Sequence, residues 1–123
     1  MQVMEFSKGS GSAVALSLAA NNADALAEEM RQVKAALLDW RAKHGDRCEM
    51  VMLTVVSAPE HHPAIEALIE QMYREEAELA PLLQSLCVQV ALVNQRGKPA
   101  KEYALGKPAA AEVAKPKAWW RFW

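Results

Sequence analysis

The segment Met50–Val56 constrains the fold more than any other part of this sequence. It runs Met-Val-Met-Leu-Thr-Val-Val, so it is almost continuously apolar and rich in β-branched residues. A strand with one face in water alternates apolar and polar side chains, whereas a strand covered on both faces is apolar nearly throughout. The segment therefore predicts a strand at the centre of its sheet, covered on both faces.

A helix pattern precedes this strand. Its apolar residues recur at spacings of three and four, as on one side of an α-helix: Leu26, Met30, Val33, Leu37 and Trp40. Asn21 or Asn22 can cap its amino end, and Gly45 follows Lys43 and His44 as a C-terminal signal. We expect the helix to end at Gly45.

A second helix pattern follows the strand. Ser57-Ala-Pro-Glu60 fits a capping box, and His62-Pro63 offers an alternative start with proline at the first helical position. Its apolar side contains Ile65, Leu68, Ile69, Met72 and Tyr73. We expect Pro81 to end or kink this helix, with a further turn over residues 82–86.

Four further strands complete the predicted sheet. Residues 2–6 and 13–19 flank a Gly/Ser-rich turn and predict a hairpin, residues 87–93 a buried strand, and residues 101–105 an antiparallel edge strand. If Leu53 and Val90 lie side by side on parallel strands, Cys48 and Cys87 come near the same end of the sheet. The order β-β-α-β-α-β-β predicts an α/β (α+β) domain over residues 1–106, with a mixed sheet of about five strands and two main helices.

A Lys/Pro/Ala tether and an aromatic tail occupy residues 107–123. The chain ends in Trp119, Trp120, Arg121, Phe122 and Trp123. Four large rings, each with roughly 150–250 Å² of surface, exceed what a monomer usually exposes, so the tail is predicted to pack on its own domain, on a sister subunit or on another protein.

Composition narrows the class of protein. Two cysteines are too few for a disulfide scaffold, and no segment reaches the roughly 20 apolar residues of a membrane helix, so we expect a soluble, cytoplasmic protein. The formal net charge of -1 argues against nucleic acid as the main partner. A nucleic-acid-binding surface is nevertheless an alternative, because the segment Arg96-Gly97-Lys98 and the lysines of the tail are basic.

The residues after the central strand form the strongest candidate for a ligand pocket, because ligands of open α/β sheets bind outside the carboxyl ends of strands. These residues are Ser57, Glu60, His61 and His62. His62 and Glu66 are one helical turn apart, but nothing supplies a third metal ligand, and Ser57 with a histidine lacks an acidic partner. The sequence predicts no metal, cofactor or catalytic residue and does not decide whether the protein is an enzyme.

Two functions remain as expectations. The first is a protein–protein interaction module, most simply a homodimer, that uses the exposed edge strands 2–6 and 101–105 and the aromatic tail. The alternative is a small-molecule-binding protein or enzyme with a pocket at the carboxyl end of strand 50–56.

Overall fold

This computed structural model describes residues 2–8 and 11–106. These residues form five strands, three helices and two short 3-10 turns, which are joined by loops. In chain order the elements are β1 (Gln2–Lys8), β2 (Gly11–Ala19), α1 (Ala23–His44), β3 (Cys48–Val56), α2 (His62–Glu75), α3 (Leu79–Gln84), β4 (Cys87–Val93) and β5 (Pro99–Gly106). The predicted fold is confirmed, with α3 added to the two main helices. The predicted tail, residues 107–123, lies outside the described residues.

The strands form one mixed sheet in the order β1-β2-β3-β4-β5. Strands β2, β3 and β4 are parallel, while β1 and β5 pair antiparallel at the two edges. Leu53 lies beside Val90, which is the register considered from the sequence. The middle strand is β3, as its apolar sequence predicts.

All three helices lie on one face of the sheet. Because β2, β3 and β4 follow one another in the same direction across the sheet, two right-handed crossovers place their helices on the same side. The apolar stripes of the helices and alternate strand residues form one buried cluster, which includes Leu26, Trp40, Ile65, Leu16, Leu53 and Val90. This cluster is the main core.

The opposite side of the sheet, called the second face below, carries a separate buried cluster. Its members come from β2, β3 and β4 and are no more than 5% exposed: Ala13, Ala15, Met50, Met52, Cys87, Ala91 and Val93. Phe6 of β1 and Val56 pack against them. Within the described residues, no helix contributes to this cluster.

Helix α1 begins and ends at the predicted residues. The Asn22 side chain accepts a hydrogen bond of 2.8 Å from the backbone N–H of Ala25, and Gly45 ends the helix with φ of 54°, a conformation that favours glycine. Near its end, Trp40 is 1% exposed and donates a 2.9 Å hydrogen bond from Nε1 to Oγ of Ser12. This bond ties the helix to the start of β2.

The second crossover differs from the expectation at two points. Helix α2 begins at His62 after a 3-10 turn over Pro59–His61, so the alternative start is confirmed and the capping box at Ser57 is not formed. The helix already ends at Glu75, and Pro81 lies in the first turn of α3. The prediction that Pro81 ends the helix is therefore wrong, because a first-turn residue needs no N–H hydrogen bond and accepts proline.

Cys48 and Cys87 lie near the same end of the sheet but on opposite faces. Cys48 belongs to the main core, with its Sγ 3.8 Å from the carbonyl oxygen of Trp40, whereas Cys87 belongs to the cluster on the second face. Both are free thiols. Among the helices of residues 2–8 and 11–106, none has the length and apolar character needed to cross a membrane.

Candidate functional site

The four residues of the predicted pocket divide into two buried and two outer side chains. Ser57 is 1% exposed and His62 is 7% exposed. Glu60 is exposed, and the side chain of His61 is 37% exposed. The structure therefore places the four residues around one turn, between β3 and α2, with Ser57 and His62 inside it and Glu60 and His61 on its outer side.

The buried pair forms a hydrogen bond that closes this turn. Nε2 of His62 lies 2.9 Å from the backbone carbonyl oxygen of Ser57. A carbonyl can only accept, so Nε2 carries the proton in this arrangement. The backbone N–H of Ser57 donates to the carbonyl of Val93 at 2.9 Å, which fixes the same residue to β4.

This geometry does not activate Ser57 as a nucleophile. A general base must accept the hydroxyl proton, but the His62 nitrogen bonds the carbonyl oxygen instead. The Ser57 hydroxyl is buried and has no hydrogen-bond partner among the described residues. Outside, His61 Nε2 lies 3.6 Å from a Glu60 carboxylate oxygen, as an exposed pair.

The spacing of His62 and Glu66 does not produce a metal site here. Glu66 is paired with the Lys101 ammonium of β5, while the His62 ring is held by Ser57. Within residues 2–8 and 11–106, no cluster of three or more His, Cys, Asp or Glu side chains could hold a metal ion.

The outer edge of β1 is the most apolar exposed part of the described chain. Val3 and Met4 are 44% and 39% exposed, and they are the described large hydrophobic residues with the greatest exposure. Glu5 in the middle of the strand has partners within the chain, with His44 Nε2 at 2.7 Å and Lys43 Nζ at 3.6 Å from its carboxylate oxygens. This edge thus combines backbone groups that no other described strand pairs with and little net charge.

The other edge, β5, has a different character. It begins with Pro99 and carries the exposed charged residues Lys101 and Glu102. The Lys101 ammonium also lies 5.5 Å from the ring centre of Tyr103. Burial raises the pKa of Tyr103, and the nearby carboxylates of Glu66 and Glu70 raise it further. Proline and charge are features that protect an edge strand from pairing.

A cluster between α1 and the α2–α3 junction was not predicted from the sequence. Lys34 of α1 contacts Glu76 Oε1 at 2.7 Å and Glu78 Oε1 at 3.1 Å, beside a groove of about 280 Å³. In the sequence, the adjacent pair Glu75-Glu76 indicates only a solvated helix face. No sequence signal connects Lys34 with Glu76, which lie 42 positions apart. The described cations that line the groove already have carboxylate partners, since Lys34 pairs with Glu76 and Glu78 and Arg31 pairs with Glu28.

The predicted partner-binding residues, Trp119 to Trp123, lie outside the described residues. Comparison of the chain with protein-family models, with curated proteins and with solved structures found no match. The functional conclusion therefore depends on the edges and faces of the sheet described above.

Proposed function

We propose that this chain is a cytoplasmic protein–protein interaction module that forms a homodimer through the edge of β1, with its C-terminal aromatic tail as a packing element. The observation that carries the proposal is the contrast between the two edges of the sheet. The β1 edge exposes Val3 and Met4, while β5 is protected by Pro99, Lys101 and Glu102. The unpaired, buried thiols agree with a reducing compartment.

Pairing of β1 with β1 of a second copy satisfies the backbone groups of both edges. An antiparallel pair of identical strands has two-fold symmetry, so each copy presents the same surface to the other. The seven residues of β1 would extend two five-stranded sheets into one continuous sheet. Like charges facing each other across the axis would oppose this pairing, but Glu5 pairs with the Lys43 ammonium and contacts His44 within each copy.

The alternative, a ligand pocket after β3, has less support. Ser57 and His62 bond through the backbone of the turn, and Glu60 and His61 lie outside it. The buried, unpartnered Ser57 hydroxyl is the feature that still favours a small ligand there.

The homodimer is tested by measuring the mass in solution of the parent chain and of Val3→Lys. The parent should have the mass of two 13.6-kDa chains. Val3 is 44% exposed, so lysine fits the folded subunit, but it replaces an apolar side chain with a charge in the proposed interface. Dimerisation should weaken by about tenfold or more, which corresponds to roughly 1.4 kcal/mol.

Ala104→Lys is the matched control, because Ala104 is an exposed residue of the opposite edge strand. This variant should remain dimeric. A monomeric parent chain would overturn the homodimer, and a Val3→Lys chain that dimerises as well as the parent would exclude β1 as the interface.

A further inference from the structure

The second face of the sheet carries a buried apolar cluster across β2, β3 and β4, where a sheet with one helical layer would present polar residues to water. Its cluster consists of alanine, methionine, cysteine and valine side chains, with Met50 at 1% and Ala91 at 0% exposed. The described residues on this side belong to strands alone. An apolar sheet face is stable only when another layer covers it.

The sequence of β3 leads to the same requirement. Met50 and Met52 belong to the cluster on the second face, whereas Val51 and Leu53 belong to the main core. The helices cover Val51 and Leu53. The apolar pattern of β3 thus requires a second layer that α1, α2 and α3 do not supply.

We propose that the aromatic segment Trp119–Trp123 of the same chain packs on the second face and supplies this layer. The inference assigns a place to the tail that the proposed function names as a packing element. It does not depend on the pairing of β1.

The connection is long enough. β5 ends at Gly106, which pairs with Cys87, itself a member of the cluster on the second face. Twelve residues, 107–118, lie between Gly106 and Trp119 and extend to about 40 Å. Five strands spaced about 4.8 Å apart are only about 19 Å wide between their outer axes, so the segment can reach any strand.

The chemistry of the two surfaces is complementary. Ala13, Ala15 and Ala91 leave a shallow floor on which flat rings fit, and Met50 and Met52 provide flexible thioethers that make favourable contacts with aromatic rings. Thr54 lies in the same row as Ala91, is 2% exposed and has a hydroxyl with no hydrogen-bond partner among the described residues. A buried indole N–H needs such an acceptor.

The two cysteines allow a direct test, because one lies on each face of the sheet. Alkylation of the native protein is followed by mass spectrometry at each thiol, for the full chain and for a chain ending at Ala118. We expect Cys87 to react about tenfold faster or more in the shortened chain, since its cover is gone. Cys48 belongs to the main core and should react equally slowly in both chains, which serves as an internal control for folding.

An unchanged rate at Cys87 with Cys48 still protected would overturn the proposal. Protection of Cys87 that falls on dilution of the full chain would assign the cover to a second copy and would also overturn it. The mass in solution tests the pairing of β1 separately. If the parent chain is monomeric and Cys87 is protected, the homodimer is excluded, whereas the packing of the tail on the second face is supported.

A second measurement on the unaltered full chain remains decisive if the shortened chain does not fold. With ¹³C-labelled methionine methyl groups, nuclear Overhauser contacts should connect Met50 and Met52 with the indole protons of the tail. Trp40 cannot produce them, because it belongs to the cluster on the helix side. Absence of tail contacts at both methionines would overturn the proposal.

Discussion

A single histidine shows how a residue that resembles a ligand can serve the fold. His62 is 7% exposed, and its Nε2 donates to the Ser57 carbonyl at 2.9 Å. A buried carbonyl without a partner costs about 1–3 kcal/mol. The bond therefore explains a polar side chain at the entrance of α2 without any ligand.

The substitution His62→Ala should lower the free energy of unfolding by about 1–3 kcal/mol, because it leaves the Ser57 carbonyl unpaired. Denaturant titration of the purified protein measures this change. His61→Ala is the matched control and should have almost no effect, since His61 is partly exposed and pairs with Glu60 in solvent. Equal stability of His62→Ala and the parent would show that His62 does not stabilise the turn and would favour the pocket alternative.

Among the secondary-structure elements, the junction between α2 and α3 depends on one carboxylate. Glu76 accepts hydrogen bonds from the backbone N–H groups of Glu78 and Leu79 and from the Lys34 ammonium of α1. Glu76 thus connects α1 to the junction between α2 and α3. The hydrogen bond from Lys34, followed by that from Leu79, lowers the pKa of Glu76 below its usual value of 4.5.

The lowered pKa gives the stabilisation a defined pH dependence. Glu76 stabilises the folded state fully above about pH 4.5, and this contribution is lost as the pH falls through the lower pKa of the folded state. Glu76→Gln should therefore unfold at a lower temperature than the parent at pH 7, and the difference should shrink on acidification. Thermal unfolding at several pH values measures it.

Glu75→Gln is the control for this experiment, because Glu75 is the exposed last residue of α2 and the direct neighbour of Glu76. It removes the same charge without removing the contacts to Lys34 and Leu79. If both variants lose the same stability at every pH, general charge rather than the Glu76 contacts explains the effect.

For the whole molecule, the two proposed surfaces meet at β1. The dimer uses the outer edge of β1, while the tail covers the second face, where Met4 and Phe6 of β1 lie beside Ala15 and Ala13. Val3 pairs with Leu16, a member of the main core, so it lies on the helix side of its strand. The effects of Val3→Lys and of removing the tail are therefore expected to add, because Val3 and the second face lie on opposite sides of the sheet.

A chain that ends at Ala118 should therefore remain dimeric and become less stable. The free energy of unfolding should fall by at least the roughly 1.5–3 kcal/mol that one large buried side chain contributes. Sedimentation gives the mass, and denaturant titration at constant protein concentration gives the stability. Equal stability would show that the tail packs elsewhere than on its own domain, and a monomeric shortened chain would assign the dimer contact to the tail.

The sequence predicted the elements and their order because their signals are local. The apolar pattern of Met50–Val56 identified the middle strand, Asn22 and Gly45 bounded α1, and the two crossovers predicted a mixed sheet. The candidate site was predicted less well. Ser57 and His62 are indeed neighbours, but which atoms bond depends on the path of the turn between them.

Three-dimensional packing was needed for everything that joins distant parts of the chain. The contact of Lys34 with Glu76, the separation of Cys48 and Cys87 onto opposite faces, and the position of all helices on one side have no local signal. The continuous apolar pattern of β3 determined that both faces need a cover. Only the direction of the two crossovers decided that the helices cover one face, because handedness fixes the side on which each connection returns to the sheet.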